Sequence, residues 1–151
     1  MTVTRVLSLM LFGGYLLSVG ASSAVGQDDF IARRQKVMKG NSAAAKQIKT
    51  AMAKKDYATV ASQAKIIVDS RDTAVFAKLW PANSTGPKSR ARPEIWQKWN
   101  DFMEKDRTLQ QEALALVAAA KAKDDSKMTQ AYKALGDTCS SCHKSFRAPT
   151  K

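Results

Sequence analysis

Cys139, Cys142 and His143 stand in the run Cys139-Ser140-Ser141-Cys142-His143, and their types and spacing are suited to chemistry. Two thiols three residues apart on a helix point the same way. Both could add to the two vinyl groups of one haem while His143, the next residue, reaches the iron, which is the c-type haem attachment pattern. A redox-active Cys-x-x-Cys pair would also use these thiols, but it expects alternating strands and helices that the chain lacks. Half of a zinc site lacks partners, because these are the only two cysteines and His143 is the only histidine in 151 residues. With no second histidine and no spare cysteine, neither nucleophilic nor acid–base catalysis has an evident constellation, and the chain does not read as an enzyme.

The elements that must position this motif read as helices throughout. Gln27-Asp28-Asp29 looks like a helix start, and Ile31, Met38, Ala45, Ile48 and Met52 recur at helical spacing as far as about Ala53. After a break at Lys54-Lys55-Asp56, a second stripe runs from Tyr57 through Val60, Ala61, Ala64, Ile67 and Val68 to about Ser70. Between Arg71 and Arg92 the periodicity dissolves into Trp80-Pro81-Ala82-Asn83-Ser84-Thr85-Gly86-Pro87, the one long connection. Pro93 suits a first helical position, and Ile95, Trp99, Phe102, Leu109, Ala113, Leu116 and Ala120 carry a third helix. Asp124-Asp125-Ser126 opens the last, on which Met128, Ala131, Leu135, Cys139 and Cys142 share a face. There is no strand pattern and no internal repeat. Two short links and one long one predict an all-α, antiparallel up-down-up-down four-helix bundle with haem at one end. His143 and the Trp80 loop fall at that end.

The segment before the first helix has one positive residue, Arg5, then an apolar run to Val19 broken by Gly13 and Gly14, then small residues at Ala21 to Ala24 and Gly26. That is the layout of a signal peptide, so residues 1–26 are expected to be cleaved and 27–151 to form one haem domain, with no stable membrane insertion afterwards. Covalent attachment of haem takes place outside the energy-transducing membrane, so the mature protein is expected in the periplasm. Lys plus Arg number 25 against 13 Asp plus Glu, a formal charge of +12, or +11 once Arg5 is removed. Such a surface favours an acidic partner protein and an association that weakens with salt. Nucleic-acid binding is disfavoured, because the basic residues are scattered rather than interleaved with aromatic platforms.

With a second histidine absent, methionine is the remaining soft ligand for the sixth iron position. Met128 lies fifteen residues before His143 on the same helix, about 22 Å at 1.5 Å per residue, and so at the wrong end. Met52 fails for the same reason. Met38 and Met103 both remain, and topology does not choose between them.

The motifs Arg34 to Met38, Ala91 to Trp96 and Cys139 to Arg147, the last reading C-x-x-C-H-x-x-F-R, resemble the class II c-type cytochromes, the cytochrome c′ family. The resemblance covers nearly the whole of 27–151 and implies one covalent haem c. In most of that family the position of Met38 carries an apolar residue and the iron is five-coordinate. In the low-spin cytochrome c-556 branch it is a methionine bound to iron. The resemblance therefore implies His143 and Met38 as iron ligands, with Arg147 beside the proximal haem face, and a one-electron carrier as the function. The alternative it leaves is a five-coordinate protein binding nitric oxide or carbon monoxide. Trp96, Trp99 and Phe102 fit haem walls and core packing equally well. A homodimer would need an exposed apolar face on the first two helices, for which Ala43, Ala44 and Ala51 are the candidates.

Overall fold

Two tight turns of one design set the ends of the long helices in the computed structural model, which describes residues 26–149. The expected leader lies outside the described residues except for Gly26. Helix α1 spans Gln27–Ala53 and α2 spans Tyr57–Asp69. Between them Lys55 adopts φ 54°, the Asp56 N–H bonds the Ala51 carbonyl at 2.9 Å, and the Lys55 N–H bonds that of Met52 at 3.1 Å. The same six-residue closure recurs between α5, Trp99–Lys121, and α6, Asp125–Phe146, where Lys123 has φ 54° and Asp124 and Lys123 bond the carbonyls of Ala119 and Ala120. These are Schellman turns with lysine where glycine is commonest. In each, the residue after the lysine caps the next helix: Asp56 accepts from the Thr59 N–H at 3.0 Å and Asp124 from the Lys127 N–H at 2.9 Å. Lys55 reaches Asp125 at 2.7 Å, so both turns lie at the same end of the bundle.

The four long helices form the antiparallel bundle expected from the spacing, with α1 against α2, α2 against α5 and α5 against α6. Tyr132 on α6 closes the ring by donating to the Ala45 carbonyl of α1 at 3.1 Å. The middle of the bundle is filled by Ile48, Val60, Leu116, Met128 and Leu135, all nearly inaccessible, and burial of side chains this size stabilises by roughly 1.5–3 kcal/mol each. Ala44 and Ala51 are buried in this core. Only Ala43 of the three alanines considered for a dimer face is exposed. Among the described residues there is no named strand, and no helix is long and apolar enough to cross a membrane.

The other end is built by the long connection, and here the structure departs from the expected single loop and single third helix. A short helix α3, Thr73–Ala77, interrupts the connection. Asp72 caps it by accepting from the Val75 N–H at 3.0 Å, a start signal that the neighbouring turn formers obscure. The third helix divides into α4, Glu94–Gln97, and α5, because Lys98 leaves helical geometry at φ −122° and ψ 49°. The break turns Trp96 toward the loop, where its indole N–H is shared between the carbonyls of Trp80 and Pro81 at 3.2 and 3.0 Å. Phe102 sits at the centre of an aromatic cluster, with ring centroids 4.8 Å from Trp80, 5.3 Å from Phe146, 5.7 Å from Trp99 and 5.9 Å from Phe76. Just beyond α6, Ala91 and Arg147 form an isolated antiparallel bridge. In it the Arg92 N–H bonds the Phe146 carbonyl at 3.0 Å and the Ala148 N–H bonds that of Arg90 at 2.8 Å.

Candidate functional site

Between the aliphatic middle and the aromatic end the bundle is hollow. A cavity of about 430 Å³ opens there, with Arg34 and Met38 of α1 on one wall, Cys142, His143 and Phe146 of α6 on the other, and Trp80 of the loop over it. A smaller space of about 40 Å³ lies against Met38, Phe102, Cys142 and His143 as well, and is bounded on its inner side by Cys139, Arg71 and Asp106. Cofactor sites have volumes on the order of 300–1,000 Å³. A second cleft of about 530 Å³, beside α4, α5 and α6, is lined by mixed charges such as Lys98, Asp101 and Glu104 and carries no thiol, thioether or imidazole.

The helix places the motif as its spacing demands. Cys139 and Cys142 are half-buried, and both thiols have their pKa raised by burial, an effect that the charge of Arg71 partly offsets. Protonated thiols are poor nucleophiles toward a disulfide, which counts against the rival reading as a redox-active pair. His143 is half-buried with its pKa lowered, first by burial and then by the charges of Arg147, Arg71 and Arg90. Its ring is therefore neutral at pH near 7, the form that binds metals. No group of three or more His, Cys, Asp or Glu gathers around a metal-sized point among the described residues, so a zinc site has no support.

The two methionines left open by topology have different surroundings. Met38 lines both spaces together with Cys142 and His143. Met103 is 5% exposed in the aromatic cluster and lines neither. Trp99 joins the same cluster without reaching either space, whereas Phe102 borders both. Arg147 follows α6 directly, gives its N–H to the His143 carbonyl at 3.0 Å and borders the larger cavity.

Three buried charged residues at the site were not singled out from sequence. Arg34 is 5% exposed, one turn before Met38, with its guanidinium 4.5 Å above the Trp80 ring and bonded to the Ser84 hydroxyl at 3.1 Å and carbonyl at 2.5 Å. No carboxylate among the described residues is paired with it. Arg71 and Asp106 form an ion pair at 3.1 Å with side chains only 4% and 2% exposed. The available signal was position: Arg34 falls on the stripe of Ile31 and Met38, and Asp106 falls between Phe102 and Leu109, where a surface charge would not be placed.

The donor set fits a haem. Cys142, the neutral His143 imidazole and the Met38 thioether border both spaces, Cys139, one turn before Cys142, borders the smaller, and Arg34, Arg90 and Arg147 line the larger, where carboxylates would find partners. The family described as Cytochrome C′ matches residues 29–147. A cytochrome c′ of Rhodopseudomonas palustris is 33% identical over 140 residues, covering 88% of this chain and 91% of that one. A cytochrome c-556 of Agrobacterium fabrum is 30% identical over 151 residues and 97% of both chains. The fold superimposes with a TM-score of 0.76, at 23% identity, on a cytochrome c′ described as having an unusual ligand-controlled dimer dissociation, covering 84% of this chain and all of that one.

Proposed function

We propose that this chain, which belongs to the cytochrome c′ family and so carries covalently attached haem c, is a low-spin one-electron carrier of the periplasm. Cys139 and Cys142 would form the thioether bonds, His143 would bind the iron from α6, and Met38 would bind it from α1. The observation that carries this reading is the position of the Met38 side chain, shared with Cys142 and His143 on the walls of both spaces. Bound haem supplies the one-electron couple of its iron. The residues do the rest. A neutral thioether favours Fe(II) and raises the potential, and the apolar walls disfavour the extra charge of Fe(III). Ligands from two helices of one bundle would keep the coordination sphere the same in both oxidation states. Arg34, Arg90 and Arg147 line the larger cavity and would take the two propionates.

The basic surface, +12 in formal charge over the full chain, would bring in an acidic redox partner. An exported location agrees with the leader-like segment and with haem attachment outside the membrane. A second reading, a five-coordinate protein that binds nitric oxide or carbon monoxide, is favoured by the relatives named cytochrome c′. The spectra of the purified holoprotein separate the two. Sharp low-spin bands unmoved by carbon monoxide, turned high-spin and responsive by Met38→Leu, are the expected result. Broad high-spin bands in the unaltered protein, or conversion by Met103→Leu instead, would overturn the assignment of Met38.

A further inference from the structure

We infer that Arg71 is a positioning residue for the sixth iron ligand, holding the Met38 thioether by a charged N–H···S contact and biasing the iron toward its reduced state. The inference rests on Met38 being that ligand. Arg71 stands two residues past the end of α2, after its C-cap Ser70, and is 3% exposed. One terminal nitrogen bonds Asp106 Oδ1 at 3.1 Å, the other lies 3.7 Å from Met38 Sδ, and the guanidinium sits 4.7 Å above the Phe76 ring. Three elements thus fix one planar group against a sulfur.

The pair is poorly made for stability alone. An arginine facing a carboxylate does best with two parallel bonds, yet Arg71 Nε and Asp106 Oδ2 are both buried without a hydrogen-bond partner among the described residues. The fork is turned so that its second arm meets sulfur rather than the second carboxylate oxygen. A buried ion pair is commonly no better for stability than apolar residues of the same volume. What this one adds is position and charge. A thioether has two lone pairs, so one can bind iron while the other accepts from Arg71, which restricts rotation of the Met38 side chain. The guanidinium, positive and 3.7 Å from the sulfur, also disfavours the added charge of Fe(III).

The test compares holoprotein of the unaltered chain with Asp106→Asn and with the double variant Arg71→Met, Asp106→Leu, whose apolar pair keeps the core filled. Potentials are measured at about pH 8, where Asp106, pushed up to about 6 by burial, is ionised. Each protein is also titrated with imidazole as a competing ligand, following the ferric sulfur-to-iron charge-transfer band. In the double variant the midpoint potential should fall, and half-displacement of the thioether should need about tenfold less imidazole, the equivalent of one charge-assisted hydrogen bond. In Asp106→Asn the potential should rise, because the arginine charge is left unopposed. Unchanged potential and imidazole titration in the double variant, or shifts of the same sign in both variants, overturn the inference. If Asp106→Asn does not fold, the double variant decides. A Met38→Leu control that keeps the sulfur band overturns the assignment of Met38 and this inference together. Loss of the band in that control with an inert double variant overturns this inference alone.

Discussion

Asp106 should make the protein less stable as the pH rises, the reverse of what an ion-paired carboxylate normally does. Its side chain is 2% exposed, and burial pushes its pKa from 3.8 up to about 6 against the charge and hydrogen bond of Arg71 and the charge of Arg107. Burial prevails for a visible reason: Arg71 bonds only one carboxylate oxygen and divides its other contacts between sulfur and an aromatic ring. With the folded pKa above the unfolded one, the native state holds a proton that the unfolded chain has released. The stability this proton supplies is complete below the unfolded pKa and is lost as pH climbs through the folded one. A shift of about 2 units at about 1.4 kcal/mol per unit gives a loss on the order of 2 to 3 kcal/mol between about pH 4 and pH 7. Asp56, Asp124 and Asp125, held below the usual carboxylate range by bonds from Thr59, Lys127 and Lys55 respectively, act in the opposite sense. They cancel when the urea-unfolding free energy of Asp106→Asn is subtracted from that of the unaltered holoprotein. The subtracted value should drop across this interval. A value that stays constant, or that grows with pH, would show that the Arg71 attraction outweighs desolvation and would refute the reasoning.

Two further outcomes follow from burial and charge. Leu116→Ala removes a side chain with no exposure from the middle of the bundle and should cost about 2–5 kcal/mol in chemical denaturation. Leu114→Ala, two residues away and 50% exposed, should stay within about 0.5 kcal/mol. Electron exchange with an acidic protein partner, followed by stopped-flow, should slow steeply as ionic strength rises, as steering by a basic surface requires. Exchange with a neutral small-molecule reductant should not.

The bundle was legible because Ile48, Val60, Ala64, Leu116 and Leu135 repeat at a helical period and turn formers interrupt them in only one long stretch. The motif was legible because local spacing alone fixes how Cys139, Cys142 and His143 face. Helix α3 was hidden because its five residues are too few to show a period, and the division at Lys98 because it depends on Trp96 finding carbonyls in a loop sixteen and fifteen residues earlier. The stripe of α1 was read partly at Ala45 and Met52, whereas Ala44 and Ala51 turn fully inward. Small side chains one position apart weigh almost equally in an apolar pattern. Arg71 escaped notice because a lone arginine at the end of a helix normally reaches water, and only the folded chain brings Asp106 from thirty-five residues away to receive it.

The antiparallel bridge between Ala91 and Arg147 bears on how long the imidazole stays where it is put. The last turn of a helix has carbonyls without partners and unzips first, and His143 stands within one turn of such an end. Because the strand-like exchange at residues 90–92 and 146–148 fastens that terminus to the segment leading into α4, unzipping would have to peel off both at once. The residue most exposed by its place along the chain is thereby kept on the slow, cooperative clock of the domain rather than on the fast one of a loose end.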